Sequence, residues 1–226
     1  MNYNLIFQSQ KEFFNSQVTK DIAFRKENLS KLRHILKANE HLLFEAIYKD
    51  FRKSAFDTFV NELNLVYLEI DYFLKHLNRL SKPKKVKTGM VLLPGKSYIY
   101  KEPLGCAFII GAWNYPYSLT LIPLVSAMAA GNTAMIKPSE LPENTMHAMA
   151  GLINTNFPSD YLYVVEGGVP ETTEMLKLPY DKIFFTGSPR VGRIVYEAAA
   201  KKLTPVTLEL GGKSPAVVTA SADLET

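Results

Sequence analysis

Glycine and proline are missing from the whole stretch between Leu5 and Leu80. Without them that stretch lacks the turn signals of an all-β region, and short polar turns between helices are expected instead. Cysteine is almost absent as well: Cys106 is the only one in 226 residues, which excludes an intramolecular disulfide and fits a reducing, cytoplasmic setting. The opening MNYNLIFQSQKEFF has no basic region followed by an apolar core, so no secretion signal is expected. No apolar run is long. Leu119 to Ala130 is interrupted by Thr120, Pro123 and Ser126 and falls short of the roughly 20 residues that a membrane helix needs. Neither sign of charge dominates, because 26 basic and 22 acidic residues leave a net charge of +4, interleaved along the first half. That balance argues against a dedicated nucleic-acid binder. His34, His41 and His76 lack a histidine or cysteine partner at ligand spacing, so no metal site is expected.

The residues that are present divide the chain by texture. From Leu5 to about Leu80, apolar residues recur at three- and four-residue steps (Ile22, Leu29, Leu32, Leu36, then Leu42, Leu43, Ala46, Ile47), which predicts amphipathic helices with breaks at Lys37 to Glu40 and Arg52 to Ser54. The last of them, Phe56 to Leu80, is rich in large side chains and should lie against the rest of the fold. Residues 1–80 are thus expected to pack on the domain formed by the second half of the chain. Ser81 to Ser97 reads as a lysine-rich solvated connection. It should lead into a hairpin, with Val91 to Leu93 and Tyr98 to Tyr100 flanking the turn Pro94-Gly95.

After Glu102, short apolar or β-branched runs (Cys106 to Ala112, Thr133 to Ile136, Tyr161 to Val165, Ile183 to Thr186, Val206 to Leu210) alternate with helix-like stretches (Leu119 to Ala130, Glu143 to Asn154, Glu171 to Lys177, Val191 to Lys201). Such alternation predicts an α/β fold with a parallel sheet covered on both faces. Ligands bind such sheets at the carboxyl ends of the strands.

The residues just after the strands are therefore the candidates. Behind the first come Trp113, the only tryptophan, and Asn114, whose amide N–H groups can stabilise an oxyanion. An Asx turn before Pro116 competes with that reading. Behind the second, Lys137 and Glu140 can both hydrogen-bond a ribose, and the carboxylate would repel a 2′-phosphate; a surface ion pair is the plain alternative. Behind the fourth, Gly187 allows a tight turn, Ser188 is a good N-cap, Pro189 suits the first helical position, and Gly192 lets the helix approach the sheet. A helix start of this kind offers N–H groups to a phosphate, although a structural glycine pair explains it as well. The fifth strand presents a single acid, Glu209, beside Gly211 and Gly212, a suitable place for a general base.

GAWNYP, IKPSE, FFTGSPRVGR and LELGGKSP, in that order and spacing, resemble the aldehyde dehydrogenase superfamily, and the EPLG before the first strand and the GAWNYP form are most similar to its class 3, fatty-aldehyde-oxidising branch. The resemblance implies a Rossmann-like NAD-binding domain over 102–211, with 81–101 opening an oligomerisation hairpin and 212–226 beginning a catalytic domain. It implies oxidation of a medium- or long-chain aldehyde to a carboxylic acid through a cysteine thioester, with NAD as cofactor and NADP as the alternative, in a homodimer. Carried over, Asn114 is the oxyanion donor and Glu209 the water-activating base. Lys137 and Glu140 hold the adenosine ribose, while Trp113, Gly187, Ser188, Val191, Gly192 and Leu210 face the cofactor.

The family's nucleophilic cysteine lies downstream of LELGGKSP, where this chain has none. Cys106 is expected to be a buried, inert thiol. The expectation is an N-terminal portion, its terminus SADLET opening a helix, that does not complete turnover alone. The alternative is a non-catalytic NAD-binding module that pairs with a separate catalytic half.

Overall fold

The computed structural model describes residues 2–223. Helices α1 (Tyr3–Asn15), α2 (Ile22–Ala38) and α3 (Glu40–Phe51) are followed by a helical run made of α4 (Ala55–Thr58), a π-turn (Phe59–Leu63) and α5 (Asn64–Leu80). The breaks fall where polar residues sit in the sequence. Asn39 separates α2 from α3, and Arg52 to Ser54 separate α3 from α4, with the Ser54 hydroxyl accepting from the Asp57 N–H at 3.0 Å.

The connection differs from the expected hairpin. Strands β1 (Lys84–Val86) and β2 (Ser97–Ile99) form an antiparallel ribbon in which Lys84 faces Ile99 and Val86 faces Ser97. Val91 belongs instead to a 3₁₀ turn, Met90–Leu92, at the tip. The reason is local hydrogen bonding. The Thr88 Oγ1 accepts from the Ser97 N–H at 3.0 Å and closes the ribbon early, while Leu92 N–H to Gly89 O (2.9 Å) and Gly95 N–H to Leu92 O (2.7 Å) coil the tip. Lys84 and Lys85 are thus strand residues with exposed side chains rather than a linker.

Beyond it, β3 (Cys106–Ile110), α6 (Ser118–Ala130), β4 (Thr133–Lys137), α7 (Glu143–Asn156), β5 (Leu162–Val164), α8 (Val169–Met175), β6 (Lys182–Thr186), α9 (Pro189–Ala200) and β7 (Val206–Glu209) alternate as the sequence predicts. The five strands form one parallel sheet in the order β5-β4-β3-β6-β7. The first strand stops at Ile110 rather than Ala112, because Gly111 and Ala112 already begin the loop. The helix expected at Ser221 to Thr226 falls partly on 224–226, outside the described residues; 221–223 are turn and irregular chain.

The pleat sorts side chains between two cores. Phe108 and Ile110 of β3, Met135 of β4, and Ile183 and Phe185 of β6 join Phe7 of α1 and Val195 of α9 on one face. Ile109, Ala134, Ile136, Leu162 and Val164 point the other way, onto α6 and α7, over which α2, α3 and α5 add a second helical layer. Both sheet faces are covered, which is why these strands read as continuous apolar runs.

Helix α1 is fastened by polar contacts as well. The fully buried Gln10 donates through Nε2 to the carbonyls of Ala134 and Ser159, both at 3.0 Å, and its Oε1 accepts from the Cys106 thiol at 3.0 Å. Lys11 pairs with Asp181 at 2.7 Å, and the same carboxylate accepts the Cys106 N–H at 2.7 Å. Replacing Gln10 with alanine should cost about 2–3 kcal/mol through the abandoned buried groups. In a chain of this size that lowers Tm by roughly 5–10 °C, measurable by calorimetry.

Candidate functional site

The strand order places a topological switch point between β3 and β6, where the connections leaving the two strands part company. The loop after β3 opens this edge. The Gly111 N–H donates to Lys137 O at 3.0 Å, and a Cβ on Gly111 would lie 2.0 Å from Thr120 Oγ1, so only glycine lets the loop come this close to α6. Tyr117 anchors the other end, fully buried, its hydroxyl donating to Leu43 O at 2.8 Å. Between these anchors Trp113, Asn114 and Tyr115 are exposed. The Trp113 ring lies 6.2 Å from that of Phe51. The Asn114 side chain makes no hydrogen bond among the described residues, so its amide is free to meet a ligand.

Lys137 closes β4, and its side chain is buried although it ends in an ammonium. Nζ donates to Pro138 O at 2.5 Å and has Glu140 Oε2 at 3.9 Å, which leaves N–H capacity for a further acceptor. Burial pulls the Lys137 ammonium below the usual lysine range, and the charges of Glu140 and Glu171 oppose that shift. Glu140 itself is exposed. Glu171 was not anticipated from the sequence in this neighbourhood. It accepts the Gly168 N–H at 2.7 Å, and this contact holds its carboxyl below the usual range. Gly-Val-Pro-Glu is a helix-start pattern that could have drawn attention to it.

The other half of the site is one contiguous unit. The Ser188 hydroxyl caps α9, accepting the Val191 N–H at 3.3 Å, with Pro189 in the first helical position. The Gly187 N–H donates to Glu209 O at 3.0 Å, tying the turn to the end of β7. A Cβ on Gly192 would lie 2.8 Å from Leu210 Cδ2, so this glycine lets the side chain that follows β7 seat against the helix. Gly187, Ser188, Val191, Gly192 and Leu210 therefore gather in space. Glu209 pairs with Thr186 on the last rung of the sheet, and its carboxylate is exposed and makes no hydrogen bond among the described residues. Lys137 and Glu209 stand three strand spacings apart, about 14 Å, which suits an extended ligand spanning the edge rather than one compact group.

Sequence reasoning also missed Lys53 and Glu62. Glu62 has no exposed surface. Its carboxylate receives Lys53 Nζ at 2.9 Å, the Tyr117 N–H at 2.8 Å and the Ser118 N–H at 3.4 Å, and so caps α6. Burial raises its pKa, opposed by Lys53 and the two N–H groups. The partners lie 55 and 56 positions away, and no local pattern announces them. Cys106 answers the expectation of an inert thiol: it is buried and its pKa is pushed up to about 12, chiefly by desolvation.

A doubly wound, Rossmann-like α/β unit whose polar residues line the strand ends on either side of the switch point is the class that fold and site define. The Aldehyde dehydrogenase family model matches residues 2–226, and the chain belongs to that family. It is 47% identical over 219 residues to 4,4'-diaponeurosporen-aldehyde dehydrogenase of Staphylococcus aureus, covering 97% of this chain and 48% of that one. To aldehyde dehydrogenase family 3 member A2 of Mus musculus it is 44% identical over 215 residues, covering 95% of this chain and 44% of that one. The solved substrate-bound state of Staphylococcus aureus AldH superposes with a TM-score of 0.93 at 48% identity, over 95% of this chain and 47% of that chain. The chain spans about half the length of the curated relatives it matches.

Elsewhere on α7, His147 stands between two carboxylates. Nδ1 contacts Glu166, which follows β5, and Nε2 lies 3.5 Å from Glu143. The bond to Glu166 raises the His147 pKa above 6.5. The protonated ring therefore contributes stability in full below pH 6.5 and loses that contribution as the pH rises through the raised value. The pair is half exposed, so the effect is small. His147→Ala should lower stability by at most about 1 kcal/mol at pH 6, and by less at pH 9. Thermal melts at the two pH values check this.

Proposed function

We propose that this chain carries the cofactor side of an NAD(P)-dependent oxidation of an aldehyde to a carboxylic acid. The observation that carries the reading is the convergence of a buried lysine with spare N–H groups, a capped helix start and a free carboxylate along one sheet edge. Those donors suit a dinucleotide. Lys137 and Glu140 would hold the hydroxyls of its adenosine ribose, Glu140 favouring NAD over a 2′-phosphate, and the start of α9 at Ser188 would face the phosphates. When bound, the nicotinamide supplies the hydride acceptor. Asn114 would donate its amide N–H to the oxyanion of the tetrahedral species, and Glu209 would take a proton from the water that releases the acid. Trp113, Gly187, Val191, Gly192 and Leu210 would line the cofactor's path.

These 226 residues are not proposed to turn over by themselves, because their only cysteine is the buried Cys106. A medium- or long-chain aldehyde is the proposed substrate class, supported by the aldehyde named in the staphylococcal relative. Homodimerisation is proposed on the ribbon β1–β2, whose tip residue Val91 is 97% exposed. A cytoplasmic location accords with the unpaired thiol. The same apolar exposure, at Val91, Leu203 and Val217, favours a second reading, in which the chain is a nucleotide-binding module that docks to a separate catalytic half.

Calorimetric titration should show NAD⁺ binding to the chain, and Lys137→Met should weaken it about 10- to 100-fold, the range for charge-assisted hydrogen bonds. A chain that binds neither NAD⁺ nor NADP⁺ would sink both readings. Mixed with NAD⁺ and a medium-chain aldehyde, the chain should produce no sustained NADH signal at 340 nm. Steady production would refute the claim that it cannot turn over.

A further inference from the structure

Three irregularities converge on the loop that carries Asn114. Arg52, which ends α3, lies in the left-handed region at φ 61°, a conformation that costs a residue with a Cβ on the order of 1 kcal/mol. The π-turn Phe59–Leu63 interrupts an otherwise α-helical run. Glu62, carried on that turn, is a carboxylate without exposed surface. Departures of this kind collect where a particular geometry is needed.

Their common target is the segment from Asn114 to Ser118. Past the left-handed turn, the Lys53 ammonium, which also lies 5.3 Å from the centroid of the Phe51 ring, makes three closer contacts: Glu62 Oε1 at 2.9 Å, the Asn114 carbonyl at 2.7 Å and the face of the Tyr115 ring, whose centroid is 4.3 Å away. The other oxygen of Glu62 accepts the N–H groups of Tyr117 and Ser118. Only Pro116, which has no N–H to offer, escapes. The Asn114 side-chain amide takes no part in these contacts and stays free.

We propose that Lys53 and Glu62 are positioning residues for Asn114, fixing the loop backbone so that the amide leaves it in one direction. The proposal rests on the reading of Asn114 as oxyanion donor. An ordinary surface ion pair would not explain the arrangement, since the two side chains are only 18% and 0% exposed and every hydrogen bond they make besides their own lies within Asn114 to Ser118. Such a clamp matters because a displacement of about 1 Å at a reacting centre can cost roughly 100-fold in rate.

The test uses the 226-residue chain and two local readouts: hydrogen exchange at the Tyr117 and Ser118 amides, and acrylamide quenching of Trp113, the sole tryptophan. Lys53→Met and Glu62→Gln should each accelerate those amides about tenfold and increase the quenching of the already exposed Trp113, with β3 and β4 amides unchanged. The double variant should be no worse than either single one, because both act through one unit. Unaltered amides and quenching would overturn the proposal. So would equal acceleration in β3 and β4, which would reduce the pair to a general stabiliser, or single effects that multiply in the double variant. Should Lys53→Met not fold, Lys53→Arg keeps the charge on a wider head that does not reproduce the three contacts, and the same local loosening is expected. Titration of NAD⁺ into the unaltered chain reads the cofactor assignment separately, so either idea can fail alone.

Discussion

Hydrogen bonding of β3 to a parallel neighbour on each side is the constraint on which the rest depends. Its five residues are buried on both faces and paired with β4 on one side and β6 on the other. A strand in that position has no solvent-facing surface, so it must be apolar throughout, and its polar neighbours in sequence are pushed to its ends. Parallel pairing then sends every following loop to the same edge. Asn114, Lys137, Ser188 and Glu209 share that edge because their strands run the same way.

That part of the molecule was legible in the sequence. Alternating apolar runs and helix-like stretches locate the sheet, and strand-end logic picks out the polar residues worth following. Ser188, Pro189 and Gly192 could be assigned a cap, a first helical position and a close approach, because these roles depend on residue type and a spacing of a few positions. The ribbon was misread for a complementary reason. Val91 to Leu93 has the composition of a strand, but the pairing is decided by the Thr88 side chain and by turns closing at Gly89 and Leu92. Glu62 and Lys53 were invisible because their partners are brought to them only by the folded chain.

Burial treats the two unusual polar groups of the sheet differently. The Cys106 thiol, at the amino end of β3, is simply kept neutral, and its short contact with Gln10 completes the seat of α1. Lys137, at the carboxyl end of β4, is comparably buried, but the two acids Glu140 and Glu171 oppose the loss of its proton. The same solvent exclusion thus silences one group, while at the mouth of the sheet its pull on the other is opposed by neighbouring carboxylates.

The attachment of α1 has a consequence for how the molecule is made. Phe7 packs edge-on against Tyr180, and Lys11 pairs with Asp181, 170 positions later. At synthesis rates of about 5–20 residues per second, the first helix leaves the ribosome roughly 10–35 s before its partners exist. During that interval Phe7 lacks Tyr180 and Lys11 lacks Asp181, while Phe13 can already meet Phe24 of α2. The seat of α1 on the sheet is therefore complete only once Tyr180 and Asp181 have emerged.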